Sequence, residues 1–228
     1  NADNILTLNK NPTNDRTYVR IPINGTALQG MNKFTIEFWA KAGPNGSDPS
    51  FIGDKDWDSG GNPGYTICRS GSGWKINIAN TKRERYDVGS SKPLEDGNWH
   101  HLAVVFDKTR LCTVYQDGEK VGESVLTYKA ADDMTSPFNY LCLGQDGTQT
   151  YSGGYPNWAG SFNEVRIWTD ALSEQTIRDY MYLRNIENSG HPNRASLNLY
   201  LKMDEVRGSV VKDFSGKGNN GELIGAAS

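Results

Sequence analysis

The stretch PLEDGNWHHLAVVFD at 93–107 constrains the fold more than any other, because a turn, a strand and the strand's surroundings can all be read from it. Asp96, Gly97 and Asn98 are turn formers, with Gly97 able to take positive φ at no steric cost. The following run, 99–106, is aromatic and β-branched without a breaker and is predicted as a strand. Strand side chains alternate in direction, so Trp99, His101, Ala103 and Val105 share one face and His100, Leu102, Val104 and Phe106 the other. Both faces are apolar in the second half. The strand is therefore expected inside the molecule, with Trp99 and Phe106 in the core. Adjacent histidines on opposite faces cannot chelate one ion, so His100 and His101 are read as sheet histidines held by hydrogen bonds. After a turn at 107–110, LCTVYQDGEKVGESVL reads as a hairpin whose Asp117-Gly118 pair suits a two-residue primed turn.

The rest of the chain follows the same grammar. Short strands are expected at 4–8 and 17–23, the second ended by Pro22 and Asn24-Gly25. KFTIEFWAKA alternates with Phe34, Ile36 and Phe38 on one face. YTICR, WKINIAN and RYDVGS form three further strands, and SFNEVRIW and 197–203 two more. A short helix near 173–183 is predicted from Ser173 as N-cap, with Ile177, Tyr180 and Met181 at helical spacing behind Leu172. The brief GELIG closes the chain.

With 228 residues the chain can bury a sizeable core, and 25 Gly, 6 Trp, 11 Tyr and 7 Phe suit many short strands joined by tight turns. A net charge of −3 leaves no electrostatic footprint for nucleic acid or an anionic membrane. No apolar run approaches the ~20 residues of a membrane span. Cys68, Cys112 and Cys142 lack metal-ligand spacing and lie in apolar strands, so they are read as buried free thiols.

DGNWHHLAVVFD followed by VYQDGEKVG, then LCLGQD, then GSFNEVRIWTDALSEQTI, resembles the laminin-G-like, pentraxin-related group of concanavalin A-like lectin domains. KFTIEFWAKA and LYLKMDEVRGSVVKDFSGKGNNGELIG match the same group, so the resemblance spans nearly the whole chain. It implies an all-β, two-sheet antiparallel jelly-roll sandwich of the kind found in secreted, cell-surface or periplasmic proteins that bind glycans or other proteins. One departure is Asn163, where the group usually has Asp.

Two constellations could carry function. The first is acidic. The loop Asp54-Lys-Asp56-Trp57-Asp58 lacks the Gly and the bidentate Glu of an EF-hand. The pentraxin resemblance implies a different calcium geometry, in which a loop after an early strand and the loop after an LGQ segment share the ion. Gln145 and Asp146 fall on the second loop, and Asp56 and Asp58 approximately on the first. Solvated loop acids are the alternative, since GTQTYSGGYPNW supplies no carboxylate after Asp146. The second constellation is aromatic: Trp57, Tyr151, Tyr155 and Trp158 lie in or beside Gly-rich loops, where a ring offers a flat apolar face to a pyranose. Trp57, between two aspartates, is expected to be exposed. Trp158 and Trp74, leading into strands, are also candidates for sandwich packing.

Glucanases of this architecture align their carboxylates on one strand as ExDxE, a string absent here, as are GxSxG, P-loop and HExxH motifs. The sequence is therefore expected to be one domain over 1–228, excised from a larger surface protein. It is expected to be a non-catalytic carbohydrate-binding module, calcium-assisted in one version. The partners are a glycan or polysaccharide, or proteins, with neither nucleic acid nor membrane insertion. The alternative is a protein-interaction or structural accessory domain without a glycan ligand.

Overall fold

The computed structural model describes residues 5–9, 16–43, 45–153 and 158–225. Its strands are β1 (Leu6–Leu8), β2 (Tyr18–Pro22), β3 (Lys33–Ala42), β4 (Ser50–Gly53), β5 (Gly64–Ser70), β6 (Gly73–Ala79), β7 (Arg85–Ser90), β8 (His100–Asp107), β9 (Leu111–Gln116), β10 (Glu119–Val125), β11 (Tyr140–Leu143), β12 (Gly160–Trp168), β13 (Leu197–Arg207), β14 (Val210–Asp213) and β15 (Gly221–Ile224), with one helix, α1 (Glu174–Tyr180). The pairing is antiparallel, in the order β10-β9-β8-β3-β12-β13-β14-β15-β2-β11-β4-β5-β6-β7, with β1 added to β12. This path folds back on itself: the last strand, β7, packs against β9 and β10 at the beginning. The result is the two-layer jelly-roll sandwich, and the apolar faces of both layers meet in one core.

The core contacts follow from the pleat. Phe34, Ile36 and Phe38 of β3 and Leu102, Val104 and Phe106 of β8 are buried in one cluster with Val19, Ile67, Trp74 and Ile76 from the other layer. Phe34 stacks on Phe106 at 4.9 Å between centroids and meets Tyr65 of the facing layer at 5.3 Å. The other face of β8 and β12 is covered by α1 and its flanking loops. There Ala103, Tyr115, Trp168, Leu172, Ile177 and Tyr200 form a second, smaller cluster.

Local signals are realised as expected. Asp117 and Gly118 take φ of 54° and 81°, the left-handed pair that a primed hairpin turn needs between β9 and β10. Ser173 accepts a hydrogen bond from Thr176 N and caps α1. The three cysteines are free and buried. β15 pairs with β2, tying the end of the chain to its beginning. Not anticipated were β14 and the extension of β13 to Arg207, where a register shift carries the chain from one partner strand to the next.

Two aromatic assignments change. Trp99 is half-buried, outside both apolar clusters, because ladder pairing of β8 begins one residue later, at His100, and Trp99 lines a cleft open to solvent. Trp158, a candidate ligand-binding ring, is fully buried. Its centroid lies 4.4 Å from Phe162 and 5.1 Å from Phe51. Trp158→Ala should therefore lower stability by about 3–5 kcal/mol, the range for truncating a buried large aromatic, and Trp99→Ala by less than half as much. Equilibrium urea denaturation of the two variants checks the order.

Candidate functional site

The site is built where the loop after β4 meets the loop after β11. Asp54 anchors the first loop, its Oδ1 accepting from Tyr65 N at 2.9 Å and its carbonyl from Ser136 Oγ at 2.6 Å. Lys55 turns inward and donates to Asn77 Oδ1 of β6 at 2.6 Å and to Gly60 O at 3.0 Å, which clamps segment 56–60 against the sheet. Both ionisable groups are buried. Burial pushes the Asp54 carboxyl up to about 7, against the opposing pull of Tyr65 N–H and Lys55. Burial likewise brings the Lys55 ammonium down to about 8.

The second loop lies directly on the first. Gly147 N donates to Lys55 O at 2.9 Å, and a Cβ on Gly147 would stand 2.1 Å from Asp54 O, so only glycine permits this approach. Asp146 joins the loops, with Oδ2 accepting from Trp57 N at 2.9 Å and Oδ1 from Thr148 N and Oγ1 at 2.9 and 2.6 Å. Burial raises its pKa against those donors. Gln145 Oε1 accepts from Tyr151 N and its Nε2 donates to Tyr151 O, closing the second loop on itself.

These two loops and the outer face of β6 and β7 enclose a polar cleft of about 460 Å³, lined by Asp48, Trp57, Asp58, Lys75, Arg85 and Tyr151 among others. The volume lies within the range of small-molecule sites. Trp57 Nε1 donates to Asp48 O at 2.9 Å, and Tyr151 OH donates to Asp48 Oδ1, so one aspartate fixes both rings. The Lys75 ammonium stands 5.4 Å from the Trp57 ring centroid. Lys75 and Arg85 both pair with Asp87.

The expected residues are thus partly assembled. Trp57 and Tyr151 share one cleft, with Asp58 on its lining. Trp57 is not the exposed ring expected. It is 7% exposed, because its indole N–H is tied down and lysine side chains approach its ring, so it offers the cleft only part of its surface. Tyr155 lies outside the described residues, and Trp158 belongs to the core. Asp56, Asp58, Gln145 and Asp146 come from two loops that do meet. Among the described residues, however, no three His, Cys, Asp or Glu side chains gather as metal ligands. Asp146 is instead satisfied by amides and a hydroxyl, and Asp56 Oδ1 accepts from Asp58 N. A preformed four-ligand calcium site does not fit this arrangement. Lys75 and Arg85 were missed as lining residues. The alternation of β6, which sets Lys75 and Asn77 opposite Trp74 and Ile76, is the signal that points to the first of them.

His100 and His101 serve the sheet. His100 lies between Asp96 and Asp117, and hydrogen bonds to both carboxylates outweigh partial burial and raise its pKa. His101 Nε2 meets Glu37 Oε1 at 3.2 Å.

The sequence signature of the Concanavalin A-like lectin/glucanases superfamily matches residues 13–178, and the chain belongs to that superfamily. No curated protein sequence matches it. Among solved structures it is similar to a Bacteroides ovatus protein classed as carbohydrate binding, at 21% identity and TM-score 0.68 over 91% of this chain and 55% of that one. It thus spans little more than half of that protein. It is also similar to the heptameric SAP-like pentraxin of Limulus polyphemus, at 14% identity and TM-score 0.53, covering 78% of this chain and 82% of that one. A third is the sialidase CBM40 of Ruminococcus gnavus bound to α2,3-sialyllactose, at 13% identity and TM-score 0.55, covering 70% and 90%. At these identities the likeness concerns the fold.

The raised Asp54 pKa has a signed consequence. A carboxyl whose folded pKa lies above its unfolded value contributes stability that is present below about 4 and lost as pH rises through about 7. Across that interval Asp54 therefore opposes the gain from His191, whose pKa burial brings down to about 4. Asp54→Asn, which keeps an acceptor for Tyr65 N, should gain stability relative to wild type progressively as pH rises, when urea midpoints of both are measured from pH about 4 to about 7.5.

Proposed function

We propose that this domain is a non-catalytic carbohydrate-binding module of a secreted, cell-surface or periplasmic protein, and that the cleft of Trp57 and Tyr151 is where the glycan binds. The observation that carries this reading is the combination in one cleft of two rings fixed by Asp48 with donors, Lys75 and Arg85, and acceptors, Asp48 and Asp58. A pyranose needs such a mixture: its C–H face packs on an aromatic surface, while its hydroxyls both donate and accept. The descriptions of the similar Bacteroides and Ruminococcus proteins support the same ligand class. No helix among the described residues is long and apolar enough to cross a membrane.

The placement of the acid groups supports binding without cleavage. A glycosidase needs a protonated carboxyl within reach of the glycosidic oxygen and a second carboxylate across the sugar. The carboxyls with raised pKa are Asp54, which is 2% exposed and hydrogen-bonded to Tyr65 N, and Asp146, which is fully buried and held by Trp57 N and Thr148, and neither is on the cleft lining.

In a glycan array, wild type should retain at least one oligosaccharide. Tyr151→Ala and Lys75→Ala should each weaken that binding about tenfold or more, while reducing ends stay at the buffer level. Undiminished binding by both variants would move the ligand elsewhere. An array without retained glycans would favour a protein-interaction or structural accessory domain. The calcium-assisted version of the reading uses Asp56, Asp58, Gln145 and Asp146 and requires Asp146 to exchange Trp57 N and Thr148 for the ion. It predicts loss of glycan binding in chelator, and equal binding in calcium and chelator would remove it.

A further inference from the structure

We infer that the helix-bearing face carries a second ligand site, distinct from the cleft of Trp57 and Tyr151, that takes a carboxylated pyranose. A cleft of about 360 Å³ opens beside the end of α1, lined by Trp39, Trp99, Asn163, Tyr182, Leu183 and Arg184 among others. Large apolar side chains exposed among the described residues are few: Ile5, Val125, Tyr182, Leu183 and Val210. Three of these, Ile5, Tyr182 and Leu183, line this one cleft. Tyr182 is 74% exposed, which removes an explanation from core packing.

The rings are held in place without a ligand. Trp39 Nε1 donates to Met181 O at 2.9 Å, fixing the indole against the end of the helix. The Tyr182 ring lies 5.3 Å from it, centroid to centroid, with the planes inclined at 47°. The two therefore form an angled aromatic wall, with the half-buried Trp99 elsewhere on the lining. Such a wall suits the C–H face of a sugar ring.

Polar groups beside the wall point to charge. β12 bulges here: Asn163 pairs with Trp39 but Arg166 with Glu37, so three steps on β12 span two on β3, and Glu164 takes a φ of 51°. Bulges and non-glycine left-handed residues of this kind re-aim side chains next to sites. The bulge sets Asn163 on the cleft with its Oδ1 buried and without a hydrogen-bond partner. Glu164, the one carboxylate on the lining, is buried and held by Arg166 and Tyr200. Arg184, in contrast, is exposed and has neither ion pair nor hydrogen bond among the described residues. The free charge at this cleft is therefore positive, and a guanidinium prefers a planar, bidentate anion such as a carboxylate.

Isothermal titration with an oligogalacturonate and an oligoglucuronate, each beside its uncharged methyl ester, tests the inference. At least one acid should bind about tenfold or more tightly than its ester. Arg184→Ala and Tyr182→Ala, exposed positions expected to leave the melting temperature unchanged, should each remove that preference or the binding. Lys75→Ala, at the other cleft, should leave it intact. The inference is overturned if neither acid binds at millimolar concentration or if acid and ester bind alike. It is also overturned if acid binding survives both helix-face variants. Loss with Lys75→Ala alone would assign the acid to the first cleft, so failure here is distinguishable from failure there.

Discussion

Glu37 is a carboxylate with almost no solvent contact in the middle of a sheet, and the outer face of that sheet is arranged around keeping it ionised. Burial alone would push its pKa up. His101 Nε2 at 3.2 Å, Trp168 Nε1 at 2.8 Å and the Arg166 guanidinium at 3.5 Å outweigh burial and hold it low. These partners stand on β8 and β12, the strands on either side of β3, so one charge ties three neighbouring strands together. Arg166 extends the tie by donating to Tyr180 O at the end of the helix and to Leu183 O beyond it. Removing one member of such a network leaves a buried charge uncompensated, a loss of about 3–5 kcal/mol. The position of α1, and with it the aromatic wall of Trp39 and Tyr182, depends on this polar layer as much as on apolar packing.

The loop side of the molecule is held by a different device, close backbone contact. β11 runs beside β4, and the chain leaving it bonds Phe51 O through Gly144 N before crossing Asp54 and Lys55 at Gly147. A loop stacked on a loop has few ladder bonds, so its polar groups must be satisfied by side chains. Asp54, Asp146 and Gln145 do this, which explains why the acids here act as struts. The same economy applies to Lys55, whose ammonium replaces water at Gly60 O and Asn77.

What was legible in the sequence is what local chemistry decides. Asp117-Gly118 requires left-handed backbone, Ser173 offers an oxygen to the first helical turn, and Phe34, Ile36 and Phe38 must share a face whatever the chain does elsewhere. The candidate site was legible to the extent that two glycine-rich loops with rings and acids were expected to converge, as they do. The exposure of single aromatics was not. Trp57, Trp99 and Trp158 all lie next to turn-rich segments, but burial is set by what the tertiary fold brings against each ring: the Asp48 carbonyl for Trp57, Phe51 of β4 and Phe162 of β12 for Trp158, and for Trp99 a pairing with β3 that begins only at His100. The bulge at Asn163 and Glu164 is invisible for a related reason, since a bulge is defined by the partner strand's register.

The state of the polar groups in the first cleft bears on how a ligand could be held. The Trp57 indole N–H, the Tyr151 hydroxyl and one oxygen of Asp48 already have protein partners. A hydroxyl arriving from a sugar must exchange with water or with these bonds, and such exchange yields little net free energy, about 0.5–1.5 kcal/mol per hydrogen bond. Ordering the site on binding is then a small term, because Asp48 has fixed both rings in advance. For the glycan proposed above, affinity would therefore rest on ring contact and fit, with Lys75, Arg85 and Asp58 selecting which hydroxyl pattern is accepted. On that reading, a site with this balance would gain strength chiefly through repetition of weak contacts along a chain, and a polymeric glycan would fit it better than a free monosaccharide.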